Sequence, residues 1–202
     1  MDIQSSYAQN NFGAIFYNTI KAYAPGLGVE LGVLHGYSTL SIAKALRDNG
    51  FGRLHSYDLW DKYSYNHGDM LQVGKMLKEK NVDDVVTLHS MDAFEVHKLY
   101  EKNSIDFLHI DISNNGDILE KMFDNWDPIL RCMGLFFFEG GSEERDKIEW
   151  MVKYNKKPIR PVILNHPELN RRYHYGVYRK YPSLSVFIKK LDAEEGGVIK
   201  HA

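Results

Sequence analysis

The stretch with the clearest chemical potential is a junction where a short apolar run gives way to a helix. Glu30 closes the apolar run, and Gly32 and Gly36 follow it, four positions apart. Glycines at such a junction permit positive φ and let another molecule approach the backbone closely. The N–H groups that begin the helix carry a partial positive charge, and Ser38 or Thr39 could cap them. We therefore predict a ligand crevice here, with Glu30 turned toward a cationic or hydroxyl-rich group.

The spacing Glu30-x-Gly32-x-x-x-Gly36 resembles the first motif of class I S-adenosylmethionine-dependent methyltransferases. It differs from the dinucleotide fingerprint, Gly-x-Gly-x-x-Gly, which disfavours a nicotinamide-dependent oxidoreductase. In the methyltransferases the glycine loop wraps the methionine part of the cofactor, and the acid lies near its amino end. The resemblance therefore implies that the motif residues, with the adjoining Tyr37 and Ser38, bind S-adenosylmethionine.

Acidic residues also follow the second and third predicted strands. Asp58, Leu59 and Trp60 follow the second strand, and the resemblance implies that the Asp58 carboxylate takes both ribose hydroxyls of the cofactor. Trp60 could cover the ribose or adenine, or it could fill the core. Met91 and Asp92 follow the third strand, where the resemblance implies that Asp92 accepts from the adenine amine while Met91 lies against the ring. Asp92 is also a good helix cap.

Two further acids, Asp111 and Glu139, close the fourth and fifth predicted strands. Converging carboxylates suit a magnesium-like cation, which could bind substrate oxygens and lower the pKa of a hydroxyl group. The pair resembles ligands of metal-dependent O-methyltransferases, in the branch of the cephalosporin-hydroxylase-like and macrolide-sugar enzymes. That branch has a second acid where this chain has Gly140, and an acid where it has Ser113. We name Asp111, Glu139 and His35 as candidate catalytic residues, with Asp111 or a nearby histidine as general base if no metal binds.

These residues need a fold that brings the ends of several strands to one edge. Hydrophobic periodicity predicts helices over 5–23, 37–48, 69–80, 93–102, 115–130 and 143–155. Apolar and β-branched runs predict strands over 27–31, 51–59, 85–88, 105–110, 135–138, 162–164 and 184–188. This alternation indicates an α/β fold: a Rossmann-like, doubly wound, seven-stranded and mostly parallel sheet, with an antiparallel last strand and helices on both faces. His109 lies inside an apolar strand, so we expect a packed core histidine.

Length and composition limit the class of protein. With 202 residues and 44% hydrophobic residues, we expect one methyltransferase domain over 1–202, with an N-terminal helical part (1–24) and a loose tail (192–202). The formal net charge of −2 makes nucleic acid an improbable partner. A single cysteine, Cys132, fits a reducing compartment. With no signal peptide and no apolar run long enough for a bilayer, we expect a cytoplasmic protein.

The resemblance implies O-methylation of a small molecule such as a sugar or natural product, with S-adenosylmethionine and, in the metal-dependent branch, Mg2+. We predict that the loop 61–68 and a substrate-side insertion, 165–182, cover the acceptor, because the tyrosines and arginines of the latter suit sugars or anions. The insertion is equally compatible with an exposed hairpin or a contact in a homo-oligomer. A non-catalytic protein that binds S-adenosylmethionine is the main alternative, and an oxidoreductase is the third.

Overall fold

The computed structural model describes residues 3–191, so the tail predicted at 192–202 lies outside the described residues. Seven strands form one sheet: β1 Leu27–Leu31, β2 Arg53–Asp58, β3 Val86–Ser90, β4 Ile105–Ile110, β5 Leu130–Glu139, β6 Tyr173–Tyr178 and β7 Leu184–Lys189. The α-helices are α1 Phe12–Tyr23, α2 Tyr37–Asn49, α3 Met70–Glu79, α4 Ala93–Val96, α5 Gly116–Trp126, α6 Glu143–Asp146, α7 Glu149–Lys153, α8 Ile159–Asn165 and α9 Pro167–Arg172. Short 3-10 helices cover Ser6–Asn10, Trp60–Lys62, Asp83–Val85 and His97–Leu99.

The strand order is β3-β2-β1-β4-β5-β7-β6. Strands β1 to β5 pair in parallel, and β7 runs antiparallel to both of its neighbours. This confirms the predicted doubly wound, mostly parallel sheet with an antiparallel last strand. The order reverses between β1 and β4, and in open α/β sheets ligands bind beyond the carboxyl ends of the strands at such a reversal.

The three consecutive phenylalanines of β5 show how the sheet separates two core layers. Side chains alternate across a strand, so Phe136 and Phe138 pack in the layer that contains Trp126 of α5. Phe137 packs in the opposite layer, edge-on to Phe16 of α1. A strand that is apolar on both faces in this way must be covered on both sides, which is the reason for its continuous apolar sequence.

One predicted strand, 162–164, is wrong, because these residues belong to helix α8. Ile159, Val162 and Ile163 are buried at helical spacing. The Asp146 side chain accepts hydrogen bonds from the first N–H groups of this helix, at 2.7 Å and 2.9 Å. A short apolar run cannot by itself distinguish a strand from a buried helical turn, and here a distant cap selects the helix.

The sixth strand lies in the segment 165–182, which contains α9 and then β6 at the edge of the sheet. The N-terminal helix predicted over 5–23 is interrupted at Asn11, whose φ is +53°, so a 3-10 helix ends there and α1 begins at Phe12. None of the helices in the described part of the chain has the length and apolarity that crossing a bilayer requires.

Candidate active site

A pocket of about 450 Å³ opens beyond the carboxyl ends of β1, β2, β3 and β4. It lies at the point where the strand order reverses, as the fold predicts. Most of the site residues predicted from the sequence line it: Gly32, His35, Tyr37, Ser38, Asp58, Leu59, Met91, Asp92 and Asp111. Glu30, Gly36, Trp60 and Glu139 are absent from its wall as the structure describes it, and each of them has a structural role.

The two glycines of the motif are required mainly by the protein's own packing. Gly32 has a φ of +90°, and a Cβ atom there would lie 1.9 Å from the backbone oxygen of Asp111. Gly36 has a φ of +80° at the N-cap of α2, and a Cβ atom there would lie 3.0 Å from side-chain carbons of Val73 and Met76. Gly32 therefore lets β1 and β4 approach beside the pocket, while Gly36 is buried against α3, and its predicted contact with the ligand stays a prediction.

Asp58 supports the glycine loop from the end of β2. Its Oδ2 accepts hydrogen bonds from the N–H groups of Val33 and Leu34, at 2.7 Å and 3.0 Å, and its Oδ1 accepts from Trp60 N–H at 2.9 Å. A carboxylate has further lone pairs that can face the pocket, so its predicted ribose contact stays a prediction. Trp60 is buried and donates through Nε1 to the backbone oxygen of His89. Two roles were predicted for Trp60, covering the ribose or adenine and filling the core. The structure shows the second.

Glu30 does not face the crevice, contrary to the prediction. Because strand residues alternate, Val29 and Leu31 fill one core layer and Glu30 points into the other. There its oxygens accept hydrogen bonds from the hydroxyls of Ser38, Thr39 and Ser56: 2.7 Å, 2.7 Å and 2.8 Å. The predicted capping role of Ser38 and Thr39 is also wrong, since both hydroxyls donate to Glu30 instead.

The fourth polar neighbour of Glu30 belongs to a chain of polar groups that leads to the pocket. His109 is fully buried, as predicted, and its Nδ1 lies 3.1 Å from Glu30 Oε1. Its Nε2 lies 3.5 Å from the hydroxyl oxygen of Tyr7, and the carboxylate of Asp111, which lines the pocket with Tyr7, raises the pKa of that hydroxyl. We call Glu30, His109, Tyr7 and Asp111 the buried polar chain. Its last two members lie in the pocket wall.

Burial governs the ionisation of the groups at the pocket end of this chain. Burial raises the pKa of Asp111, while His109 and the Tyr7 hydroxyl oppose that rise. Burial also raises the pKa of Tyr7 well above its usual value, and the carboxylates of Asp111 and Glu139 add to the effect. Asp111 is therefore a carboxyl group with a raised affinity for a proton, which suits it to act as a base.

Sequence reasoning missed the contribution of the N-terminal segment to the pocket. Gln4, Ser5, Ser6 and Tyr7 line it beside the predicted loop residues Tyr63, Tyr65 and Asn66. The Ser5 side chain accepts from Tyr7 N–H at 3.2 Å and begins the 3-10 helix. The sequence did contain a signal for these additional polar groups, because Glu30 and His109 are polar residues inside two apolar strands. In the sheet the two residues are register partners. A buried pair of this kind needs further polar partners.

The segment 165–182 does not line this pocket in the described structure, contrary to the prediction. Residues of β6 and the loop after it, among them Tyr175 and Arg179, border a separate cavity of about 300 Å³ with Gly141 and Ile163. The two cavities therefore have different walls: the N-terminal segment borders the first, and this insertion borders the second.

Glu139 faces a guanidinium group instead of a metal. Arg145 Nε donates to Glu139 Oε1 at 2.6 Å, and Nη2 donates to Oε2 at 2.8 Å, with both side chains buried. The glycines Gly140 and Gly141, with φ of +112° and +109°, turn the chain so that α6 brings Arg145 back to the strand end. Burial raises the pKa of Glu139 to about 7, and the hydrogen bond from Arg145 opposes that rise.

The residues present do not fit a divalent metal. Both oxygens of Glu139 accept from Arg145, and residues 3–191 contain no group of three or more His, Cys, Asp or Glu side chains that could hold an ion. The ion pair therefore gives no support to the predicted metal pair, Asp111 and Glu139. It gives none to the predicted catalytic role of Glu139 either, since this carboxylate faces Arg145 and is absent from the pocket wall.

Fold and pocket together define an α/β protein with a ligand crevice at the point where its strand order reverses. Residues 29–139 of the 202 match a family model described as a methyltransferase domain. The chain belongs to this methyltransferase family. The oxidoreductase alternative has no support from this match, and no curated protein matches the chain in sequence.

Solved structures with the same fold include several methyltransferases. The O-methyltransferase TomG of Streptomyces achromogenes, involved in tomaymycin synthesis and solved with SAM, is 17% identical, with a TM-score of 0.63 over 94% of this chain and 82% of that one. The Bacillus cereus O-methyltransferase in complex with SAH is 16% identical, with a TM-score of 0.64 over 94% and 84%. SAH-bound PaMTH1 of Podospora anserina is 17% identical, with a TM-score of 0.66 over 94% and 81%. At these identities the likeness establishes the fold alone.

Proposed function

We propose that the chain is an S-adenosylmethionine-dependent O-methyltransferase that acts on a hydroxyl group of a small molecule, such as a sugar or natural product, without a divalent metal ion. The observation that carries the proposal is the pocket of about 450 Å³, in a chain of a methyltransferase family, with carboxylates following β2, β3 and β4 in its wall. Structures of the same fold that are described as O-methyltransferases hold SAM or SAH, which supports the choice of cofactor.

The pocket residues fit S-adenosylmethionine. Asp58 at the end of β2 would accept from the ribose hydroxyls, and Asp92 would accept from the adenine amine beside the apolar side chains of Met91 and Phe94. Gly32 gives the methionine part access to the backbone of the loop. Asp92 also caps α4 by accepting from Phe94 N–H at 2.9 Å, so its position is fixed.

When bound, S-adenosylmethionine supplies a methyl group on a positively charged sulfur that is open to in-line displacement. The chain has to align the acceptor hydroxyl with that methyl group, and alignment alone can supply about 7–11 kcal/mol of the barrier. The N-terminal segment, the loop residues Tyr63 to Asn66 and His35 enclose the remaining space, which would position the acceptor and exclude water. Asp111 is the group in this wall that would take the hydroxyl proton.

Calorimetric titration with S-adenosylmethionine and its demethylated product tests the first half of the proposal. Turnover is then measured as release of the demethylated product with a panel of sugars, phenols and other hydroxyl-bearing compounds. We expect saturable binding of both nucleosides and methylation of a hydroxyl group. Absence of any binding heat would contradict the proposed cofactor, and methylation confined to nitrogen or carbon would contradict the reaction.

A non-catalytic S-adenosylmethionine-binding protein is the second candidate. The ion pair between Glu139 and Arg145 favours it, because it closes the strand end where metal-dependent relatives are expected to activate substrate. Binding without turnover of any hydroxyl compound would favour this candidate. We further propose a cytoplasmic location, since the single cysteine, Cys132, is a free thiol and fits a reducing compartment.

A further inference from the structure

We propose that Tyr7, His109 and Glu30 form a proton-accepting chain behind Asp111, through which the proton of the acceptor hydroxyl leaves the pocket. The inference rests on the proposed function and names the groups that remove the proton in that reaction. Asp111 is the catalytic base at the pocket wall. Of the three residues behind it, Tyr7 relays the proton, His109 receives it and Glu30 positions His109.

The contacts of Glu30 set the direction of the chain. Three hydroxyls donate to its two oxygens, and the Nδ1 atom of His109 lies 3.1 Å from Oε1. This is the hydrogen-bonding pattern of an ionised carboxylate, which accepts and cannot donate. The Nδ1 atom of His109 must therefore carry a proton, and in the neutral ring Nε2 is then an acceptor.

The Tyr7 hydroxyl lies between two acceptors. His109 Nε2 is 3.5 Å from its oxygen, and the Asp111 carboxylate lines the pocket beside it and interacts with it electrostatically. A hydroxyl has one proton to donate and can accept another. Tyr7 can therefore pass its own proton to His109 while it receives one from Asp111, and no side chain has to move out of the core.

The proton balance of the step is complete. The acceptor oxygen gains the methyl group and loses its proton to the Asp111 carboxylate, while the carbon–sulfur bond breaks and both of its electrons stay on sulfur. Asp111 returns a proton to the Tyr7 oxygen as the Tyr7 proton moves to His109 Nε2. The positive charge lost at sulfur reappears on the His109 ring, 3.1 Å from the Glu30 carboxylate, which stabilises it.

The surroundings favour this route over release of the proton to water. Tyr7 is 2% exposed and His109 is fully buried, and the ring of Phe16 from α1 packs edge-on to His109 with 4.8 Å between ring centres. The charged groups that face the chain are Glu30 of β1, Asp111 after β4, Glu139 of β5 and Arg145 of α6. Arg145 forms an ion pair with Glu139. The carboxylate in contact with His109 is that of Glu30.

The test is the Tyr7→Phe variant, which keeps the ring and removes the hydroxyl, compared with Tyr175→Phe on the exposed edge strand as control. With an acceptor from the panel described above, we expect kcat of Tyr7→Phe to fall on the order of 100-fold. The KM for S-adenosylmethionine should stay unchanged, and the acid limb of the kcat–pH profile should shift. The control should match the wild type.

Nitrogen-15 NMR of histidine-labelled protein gives a second readout that needs no acceptor. We expect His109 to carry its proton on Nδ1, and the Nε2 signal to move in Tyr7→Phe but not in Tyr175→Phe. A proton found on Nε2 with Nδ1 bare would overturn the chain. If Tyr7→Phe turns over as fast as the wild type, with an unchanged pH profile, the proton-accepting chain alone is overturned. If the wild-type protein itself shows no turnover, the proposed function is overturned as well.

Discussion

Glu139 and Arg145 form a two-pronged ion pair, with Nε to Oε1 at 2.6 Å and Nη2 to Oε2 at 2.8 Å. Arg145 is further held by a hydrogen bond from Nη2 to the backbone oxygen of Asn114 and by the ring of Trp150, 5.1 Å away. The strand end that the sequence predicts to hold a metal cation therefore holds a cation belonging to the chain itself.

Glu139→Ala should destabilise the fold strongly, because it leaves the Arg145 guanidinium buried without its counter-ion. Loss of one partner of a buried pair costs about 3–5 kcal/mol, which should appear as a lower midpoint of urea unfolding. Glu143→Ala removes an exposed partner of Lys147 and Arg160 and should leave the midpoint almost unchanged. Equal midpoints for the two variants would show that the buried pair contributes nothing to stability.

Asp58→Ala should weaken binding of S-adenosylmethionine by about 1–3 kcal/mol, because a buried donor or acceptor left unpaired costs that much. The loss has two sources: the ribose hydroxyls lose an acceptor, and the Val33 and Leu34 N–H groups lose theirs. Calorimetric titration measures the affinity, with the exposed Asp61→Ala as the control. Wild-type affinity in Asp58→Ala would contradict both contributions.

Asp111 should make the fold less stable as pH rises. Burial raises its pKa above the ordinary value of 3.8, so the folded chain holds this proton at pH values where the unfolded chain has released it. The proton on Asp111 then contributes fully to the free energy of unfolding below about pH 4. This contribution is lost as pH rises through the raised pKa of Asp111. Glu139, with a pKa raised to about 7, adds the same sign.

Urea unfolding at pH 5 and pH 8 checks this dependence. The wild type should lose stability between the two values, and Asp111→Asn should lose less. The exposed Asp124→Asn should keep the wild-type difference. If Asp111→Asn shows the full wild-type difference in stability between the two pH values, the raised pKa assigned to Asp111 is contradicted.

Gly32→Ala should destabilise the protein and distort the pocket. The φ of +90° strains any residue with a side chain, by about 1–3 kcal/mol, and the new Cβ would meet the Asp111 backbone oxygen at 1.9 Å. Gly176→Ala, in open space on the edge strand, is the matched control. Thermal unfolding and calorimetry should show losses of stability and affinity in Gly32→Ala alone, and a variant as stable as the control would contradict this account of the glycine.

The fold could be predicted largely because apolar periodicity and strand ends are local properties of the sequence. Residues 27–31 and 105–110 are strands at the predicted positions, since continuous apolar runs of that length suit a sheet covered on both faces. The run at 162–164 was mispredicted because its helix depends on a cap from Asp146, which is distant in sequence. Local patterns carry no information of that kind.

The site was less predictable, because a side chain's type does not fix its partner. Glu30 and Glu139 lie near strand ends, as predicted. Their oxygens, however, contact His109 and Arg145, respectively. Tyr7 was missed because a tyrosine in an amphipathic segment is typical of a core residue. Its contact with Asp111 exists only after the N-terminal 3-10 helix has packed on the sheet.

The most direct measurement of the central claim is methyl transfer by protein freed of metal with EDTA and assayed with S-adenosylmethionine and hydroxyl-bearing acceptors. We predict the same rate of demethylated-product release with EDTA as with added Mg2+, because Arg145 already neutralises Glu139. A rate that vanishes with EDTA and returns with Mg2+ would contradict the account.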